Sequence, residues 1–450
     1  MFQKIINFCV KIVQKYLPEP FIFAILLTLV AIVLAMPICK QTPVEVIENW
    51  GNGVWSLLAF AMQMALVLVC GSVLAEAPIV KKGISSLANI VKTPVSAIAL
   101  VSFVSAVSCW LNWGFGLIVG VIFAKEIAKK VQNVDYRLLI ASAYSGFVVW
   151  HAGISGSIPL TMATPGDALK NATNGILTSP ISISNTIFDI HNIIMVALCI
   201  VALVVVNSLM HPKKDIVTIN PTLFKEDEGK QENSLDMTPA EKIENARIIS
   251  LIISILGLIY LFINLFVRKH SLDLNSVIML FLFLGIIAHK TPLAYVKAFT
   301  KSSLGASGIL LQFPFYAGIM GIITGVGESG ICLGTVISNA CISISNPHTY
   351  PLLTFFSAGL INIFVPSGGG QWAVQAPIMF NAGANLGVEP SITGMAIAWG
   401  DAWTNLIQPF WAIPALAIAK LSAKDIMGFC IIDLFVTGLI ICMGLLLWTF

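Results

Sequence analysis

The sequence predicts an all-α polytopic membrane protein made of two inverted-topology repeats, each with a re-entrant helical hairpin and a broken transmembrane helix. Three observations carry this. Of 450 residues, 57% are hydrophobic and only 10% charged, with mean hydropathy +0.90, whereas a soluble domain carries roughly 25% charged residues. From 302 to 419 there is neither lysine nor arginine, and small and polar residues interrupt this apolar stretch at Pro366-Ser367-Gly368-Gly369-Gly370 and around 401–408. The first half has a matching pair of breaks, at Asn112-Trp113-Gly114-Phe115-Gly116 and at 151–157, but flanks rich in Lys and Arg.

In chain order, residues 1–20 alternate Lys4, Lys11 and Lys15 with Phe2, Ile5, Ile6, Ile12, Val13 and Leu17 at helical spacing, up to Pro18-Glu19-Pro20. That pattern predicts an amphipathic interfacial helix on the cytoplasmic membrane face and is not that of a cleavable signal. A bilayer core of about 30 Å needs about 20 apolar residues per helical span. Residues 21–210 form the first repeat, with spans 21–36, 55–75, a hairpin 95–124, a broken helix 138–163 and a span 190–210. The hydrophilic stretch 211–247, with Glu226-Asp227-Glu228 and the cap pattern Thr238-Pro239-Ala240-Glu241, is a cytoplasmic linker. Residues 248–450 form the second repeat, with spans 248–267, 276–288 and 308–325, a hairpin 352–380, a broken helix 392–418 and a last span 426–450.

Charge sets the orientation. Lys81, Lys82 and Lys92 precede the first hairpin, and Lys125, Lys129, Lys130 and Arg137 follow it. Both flanks are therefore cytoplasmic, and the segment turns back at Asn112 to Gly116. The second hairpin has Glu328, His348 and Glu389 around it but no Lys or Arg, so it enters from outside and turns at Pro366 to Gly370. With the N-terminus inside, the Thr42-Pro43 loop falls outside, the Thr291-Pro292 loop and the linker inside, and the C-terminus outside. Arg268-Lys269 falls outside, against the rule. One constant offset pairs Ser102 with Ser357, Gly114 with Gly369, Ala141 with Ala396, Tyr144 with Trp399 and Ile158-Pro159 with Ile413-Pro414. This colinearity, with the inverted charge, points to duplication.

Non-helical backbone at membrane depth costs several kcal/mol per unpaired group, so it occurs only against protein or a watery cavity. Four breaks therefore call for one polar centre, the arrangement of many secondary transporters. Half-helix N-termini can hold a carboxylate without any Lys or Arg, and free carbonyls can hold Na⁺. Asp401 is the deepest acid of the second half, and Thr404, Asn405 and Gln408 follow it with uncharged donors and acceptors. Acids buried in membranes mark ion paths. His151, Ser155 and Ser157 occupy the first half's second break; a histidine there can bind a carboxylate, shuttle a proton or serve as a helix-end residue. Trp403 and Trp411 read as interface or core aromatics, and Asp433, early in the last span, is expected near the interface.

Other classes fit less well. No basic patch with interleaved aromatics points to nucleic acid. The nine cysteines show no metal-ligand or CxxC spacing, and nothing calls for a cofactor or metal. Gly153-Ile154-Ser155-Gly156 and Gly305-Ala306-Ser307-Gly308 match the GxSG pattern of intramembrane serine proteases, but no histidine lies well inside a later span to serve as base. A channel would use similar loops, yet inverted halves with broken helices favour alternating access.

At these residues the chain resembles the bacterial short-chain fatty acid transporter family, over nearly its whole length. The runs are Leu17-Pro18-Glu19-Pro20-Phe21-Ile22-Phe23-Ala24, Ala59-Phe60-Ala61-Met62-Gln63-Met64-Ala65-Leu66, Asn112-Trp113-Gly114-Phe115-Gly116-Leu117, Phe313-Pro314-Phe315-Tyr316-Ala317-Gly318, Pro366-Ser367-Gly368-Gly369-Gly370 and Gln408-Pro409-Phe410-Trp411-Ala412. The resemblance implies uptake of butyrate- or acetoacetate-like carboxylates across the bacterial inner membrane. It also implies the ion transporter superfamily, with inverted repeats, hairpin tips at the substrate site, an elevator-like motion and homodimers. His151 departs from the glycine of the family pattern, whereas an acid at Asp401 fits it.

The expected function is a secondary carrier of short-chain monocarboxylates driven by H⁺ or Na⁺, with a same-architecture carrier for another anion, such as a dicarboxylate, as the alternative. The expected substrate contacts are Asn112, Gly114, Gly116, Ser367, Gly368, Gly369 and Asn405, with Trp113, Phe115 or Phe364 over the alkyl tail. The coupling-ion candidates are Asp401, Thr404, Ser155 and His151.

Overall fold

The computed structural model describes residues 20–449 except 57, 165, 167–168, 171–172, 174, 213, 220–236, 271–273, 329 and 367. The expected interfacial helix at 1–20 thus lies almost wholly outside the described residues, as do 213 and 220–236 of the linker. The described residues are mostly helical, and no strand occurs among them. Among the described residues, five helices are long and apolar enough to cross a membrane: Pro94–Leu111, Ile190–Leu209, Arg247–Val267, Pro292–Thr324 (which continues from Pro292–Ser303 through a 3₁₀ turn) and Ala423–Leu447. Shorter apolar helices such as Tyr350–Phe364 accompany them. Large apolar side chains stay exposed along Arg247–Phe262, including Leu251, Ile252, Leu256 and Ile259, as a lipid-facing helix requires.

The helix Pro94–Leu111 ends at Asn112, and Trp113–Lys130 starts at the next residue and packs back along it. Tyr350–Phe364 and Gly368–Asn385 likewise end and restart at 365–367. Cross-arm bonds hold this second hairpin: Gln371 Nε2 donates to Ala358 O (3.0 Å), and Gln375 Nε2 to Ser357 Oγ (2.9 Å). The two broken helices follow their hairpins. Tyr136–Ser145 passes through a 3₁₀ turn, Gly146–Val149, into an irregular stretch before Ser157–Ala163. Pro390–Thr404 stops, and Pro409–Ala419 resumes after four residues.

Several short helices stand where hydropathy placed loops. Thr42-Pro43 opens Pro43–Gly53 through a capping box with Glu45, and Thr291-Pro292 opens Pro292–Ser303. The loop expectation at both is corrected: Thr at N-cap with Pro at N1 is a helix start, and it supplies an orphan backbone donor with an acceptor. Pro78–Ala88 and Leu333–Ile342 are further short helices. Pro43–Gly53 packs tightly on Ser307–Thr324, with Gly53, Gly318 and Gly321 at the contact. Thr238-Pro239-Ala240-Glu241 does start a capped helix, Pro239–Glu244.

Asp135 anchors the beginning of the linker. Its buried carboxylate accepts from Leu138 N–H (3.1 Å), Arg137 Nη2 (2.8 Å) and Val217 N–H (3.1 Å), while its own N–H donates to His211 Nε2 (3.3 Å). Burial lowers the His211 pKa against the pull of the Asp135 carboxylate. A lowered histidine pKa gives stability that is complete above the ordinary pKa and is lost as pH falls from there through the lowered, folded-state value. Exchange protection of the Val217 amide, corrected for intrinsic rate, should therefore decline as pH drops from 7 to about 5. Unchanged protection over that interval would count against this role for His211.

Candidate functional site

The first tip is clasped by the first break. Asn112 caps Trp113–Lys130: its Oδ1 accepts the Phe115 N–H at 2.9 Å. The next donor, Trp113 N–H, goes to Ser155 Oγ (3.0 Å), and Ile154 N–H donates back to Trp110 O (2.8 Å). A β-carbon on Gly114 would meet Val67, and one on Gly116 would meet Cys109. Protein already fills the approach to these two glycines, which the sequence analysis expected to meet substrate.

The second break and the second hairpin form another unit. Asn362 Nδ2 lies 2.9 Å from Asp401 O, 2.8 Å from Thr404 Oγ1 and 3.3 Å from Asn405 Oδ1. Thr404 Oγ1 donates to Gly359 O at 3.0 Å, so its hydroxyl is engaged in fixing the helices together. Asn405 O accepts from Tyr144 OH (2.6 Å), which ties the two broken helices, and Asn405 Nδ2 has no partner among the described residues.

Between the two units lies a short, fully buried polar contact. His151 Nδ1 and Asp401 Oδ2, both fully buried, are 2.7 Å apart although 250 residues separate them in sequence. The other ring nitrogen, Nε2, takes the backbone N–H of Ile158 at 3.0 Å, with Ser157 Oγ also at 3.0 Å. A backbone N–H can only donate, so Nε2 carries a lone pair and the ring proton sits on Nδ1, directed at Asp401. Asp401 Oδ1 has no hydrogen-bond partner among the described residues. A buried carboxyl with one oxygen unsatisfied is a place where a proton or a small cation gains most.

The second tip closes over this pair. A β-carbon on Gly368 would run into Ser157 Oγ and come within 2.9 Å of His151 Cε1. Gly368 is buried and Gly369 half-buried, while Ser367 lies outside the described residues. Trp150 stacks on the His151 ring, centroids 4.1 Å apart. It belongs to an aromatic group with Phe147, Trp113 and Trp411 that joins the first tip to both breaks. Phe115 turns instead to Phe281, and Phe364 is half-buried against the core.

The order Ser157, His151, Asp401 is that of a hydrolytic triad. Here the Nε2 lone pair is shared with Ile158 N–H, and Gly368 packs where an acyl carbon would have to sit on Oγ. The arrangement suits holding a proton or an anion rather than attack on a carbonyl. Ser155, the serine of the first GxSG pattern, is occupied by Trp113 N–H.

The model of the family described as short chain fatty acid transporter matches residues 1–448. The chain belongs to that family. It is 43% identical to a protein of Escherichia coli provisionally named a short-chain fatty acid transporter, over 450 residues and all of both chains. A Haemophilus influenzae protein of the same provisional name is 41% identical over 453 residues, with 99% of each chain covered. Among solved structures, the Alcanivorax borkumensis YdaH transporter, described as having an unusual topology, aligns with TM-score 0.51 over 96% of this chain and 98% of its own. At 15% identity that likeness concerns the fold alone.

In this short-chain fatty acid transporter family member, the structure gathers His151, Asp401 and Gly368 into one cluster. Ser155 and Asn112 hold the first tip, and Thr404 and Asn405 lie just past Asp401 against Asn362. Sequence reasoning missed Asn362, Tyr144 and Trp150. All three read as core residues in apolar helices, and only their distant partners give them a role.

Proposed function

We propose that the protein is a secondary active transporter of short-chain monocarboxylates, butyrate- or acetoacetate-like, working by alternating access in the bacterial inner membrane. Transport is coupled to H⁺ or Na⁺, the N-terminus is cytoplasmic, two inverted repeats supply the moving parts, and the working unit is a homodimer. The observation that carries the reading is the His151–Asp401 contact, which joins the two breaks beneath the second hairpin tip and leaves Asp401 Oδ1 unpartnered. A carboxylate reaching this centre meets Asn405 Nδ2 and backbone donors near Gly368 and Gly369, with the Trp150 group beside it for a short apolar tail. No lysine or arginine lies between 302 and 419, which favours a monoanion over a dicarboxylate with a second charge to neutralise.

Reconstituted protein should take up labelled butyrate when an inward H⁺ or Na⁺ gradient is imposed, each applied separately. Unlabelled acetoacetate should compete and succinate should not. Competition by succinate equal to that of butyrate would replace this reading with a dicarboxylate carrier. Ser367→Ala should raise the transport KM, and an unaltered KM would remove Ser367 from the site.

A further inference from the structure

We infer that a second buried cation site, suited to sodium, lies at Asp433 beneath the first break and apart from the His151–Asp401 pair. The interfacial position expected for Asp433 is corrected by the structure. Asp433 sits about three turns into Ala423–Leu447 and is fully buried. Neither of its carboxyl oxygens has a hydrogen-bond partner among the described residues. Ser145 lies next to the carboxyl, but its hydroxyl donates to Ser142 O at 3.1 Å. Asn207 reaches the same serine: its Nδ2 donates to Ser145 Oγ (3.0 Å) and to Ser102 Oγ (3.1 Å). The amide oxygen of Asn207 is left without a partner as well. Ser102, Ser145, Asn207 and Asp433 are all 0% exposed.

The two unpartnered carboxyl oxygens of Asp433 are thus buried next to Ser145, and Ser145 is linked through Asn207, itself with an unpartnered amide oxygen, to Ser102, on four helices in all. Among the described residues no cation compensates them. Arg137 stands eight residues before Ser145, roughly 12 Å along the helix, and is bound to Asp135. His191 is at the far end of the helix that carries Asn207. On the packed neighbour Pro390–Thr404 the one charged side chain is Asp401, already facing His151. Cys430, one turn before Asp433, offers only a soft thiol. Hard oxygen donors without imidazole suit a hard cation. A proton would satisfy one of these oxygens, whereas a metal ion can be shared by several. Ser145 also ends the regular part of the first broken helix, just before the 3₁₀ turn, so an ion here would fix where that helix unwinds.

The test reads ion binding directly and needs no carboxylate. Thermal unfolding of the purified full-length protein is compared in sodium, potassium and choline chloride at one ionic strength and pH. Sodium alone should raise Tm, by about 2 °C or more at saturation. The rise should persist in Asp401→Asn, and adding Asp433→Asn to that variant should abolish it, so that sodium held at the His151–Asp401 pair does not count. Ser102→Ala, which removes one oxygen and is the milder change, should raise the half-saturating sodium concentration about tenfold. Four results would each overturn the proposal: no sodium-specific rise in the wild type, a rise that survives Asp433→Asn in the Asp401→Asn background, a rise lost in Asp401→Asn, or an unmoved half-saturation in Ser102→Ala. Butyrate-induced stabilisation, measured in the same samples, reports on the carboxylate reading independently.

Discussion

Asp401→Asn is expected to abolish accumulation of labelled butyrate against its gradient while leaving counterflow exchange. The substitution keeps shape and an oxygen to accept the His151 Nδ1–H, so the 2.7 Å contact between the breaks can persist. What it removes is the charge at the unpartnered Oδ1. With one cation carried per substrate, a tenfold inward cation gradient supplies about 1.4 kcal/mol, enough for about tenfold accumulation. The variant should settle at equal concentrations inside and out. Accumulation equal to wild type would refute the coupling role, and loss of exchange as well would make Asp401 a substrate ligand instead.

Gly368→Ala should reduce the maximal uptake rate about 10- to 100-fold. The added methyl would strike Ser157 Oγ and press on His151 Cε1, which is 2.9 Å from that position. The tip would have to lift from the pair it covers, or the His151 ring would have to turn out of line with Ile158 N–H. If the cause is this clash, Ser157→Ala in the same chain should restore a large part of the rate, because it removes the atom in the way. Non-additivity of the two changes is the signature of direct contact. A double variant no faster than Gly368→Ala alone would place the effect elsewhere.

The outline of this site was legible in the sequence and its wiring was not. Pro366 to Gly370 and Asn112 to Gly116 stand out because such residues end helices, and helices do end and restart there. Asp401 stands out because an acid in a long cation-free stretch needs a reason. The partnership of Asp401 with His151 leaves no local signal, since the two are brought together only by packing of distant helices. Asn362 looks like an ordinary polar residue in an apolar helix until three acceptors converge on its amide. The short helices at Pro43–Gly53 and Pro292–Ser303 were hidden for a different reason. Hydropathy over a span-sized window averages them with polar neighbours, while their starting signal, Thr-Pro, is purely local. Gly114 and Gly116 show the converse: glycine marks a close approach, but not whether a helix or a ligand makes it.

Two side-chain bonds lash the two broken helices together, Tyr144 to Asn405 O and His151 to Asp401, and a third, Trp399 Nε1 to Asn192 Oδ1 at 3.0 Å, ties the second of them to Ile190–Leu209. Each joins groups that would be stranded in a dry interior if parted, at about 1–3 kcal/mol apiece. The seam where Gly71 meets Phe115 and Gly114 meets Val67 is of another kind, backbone resting on backbone through small residues. Shear is resisted least at such a smooth bearing. If the centre moves relative to the helix Leu58–Glu76, as the proposed alternating access requires, this seam is its natural slip plane, and the lashed helices would travel along it as a single cargo block.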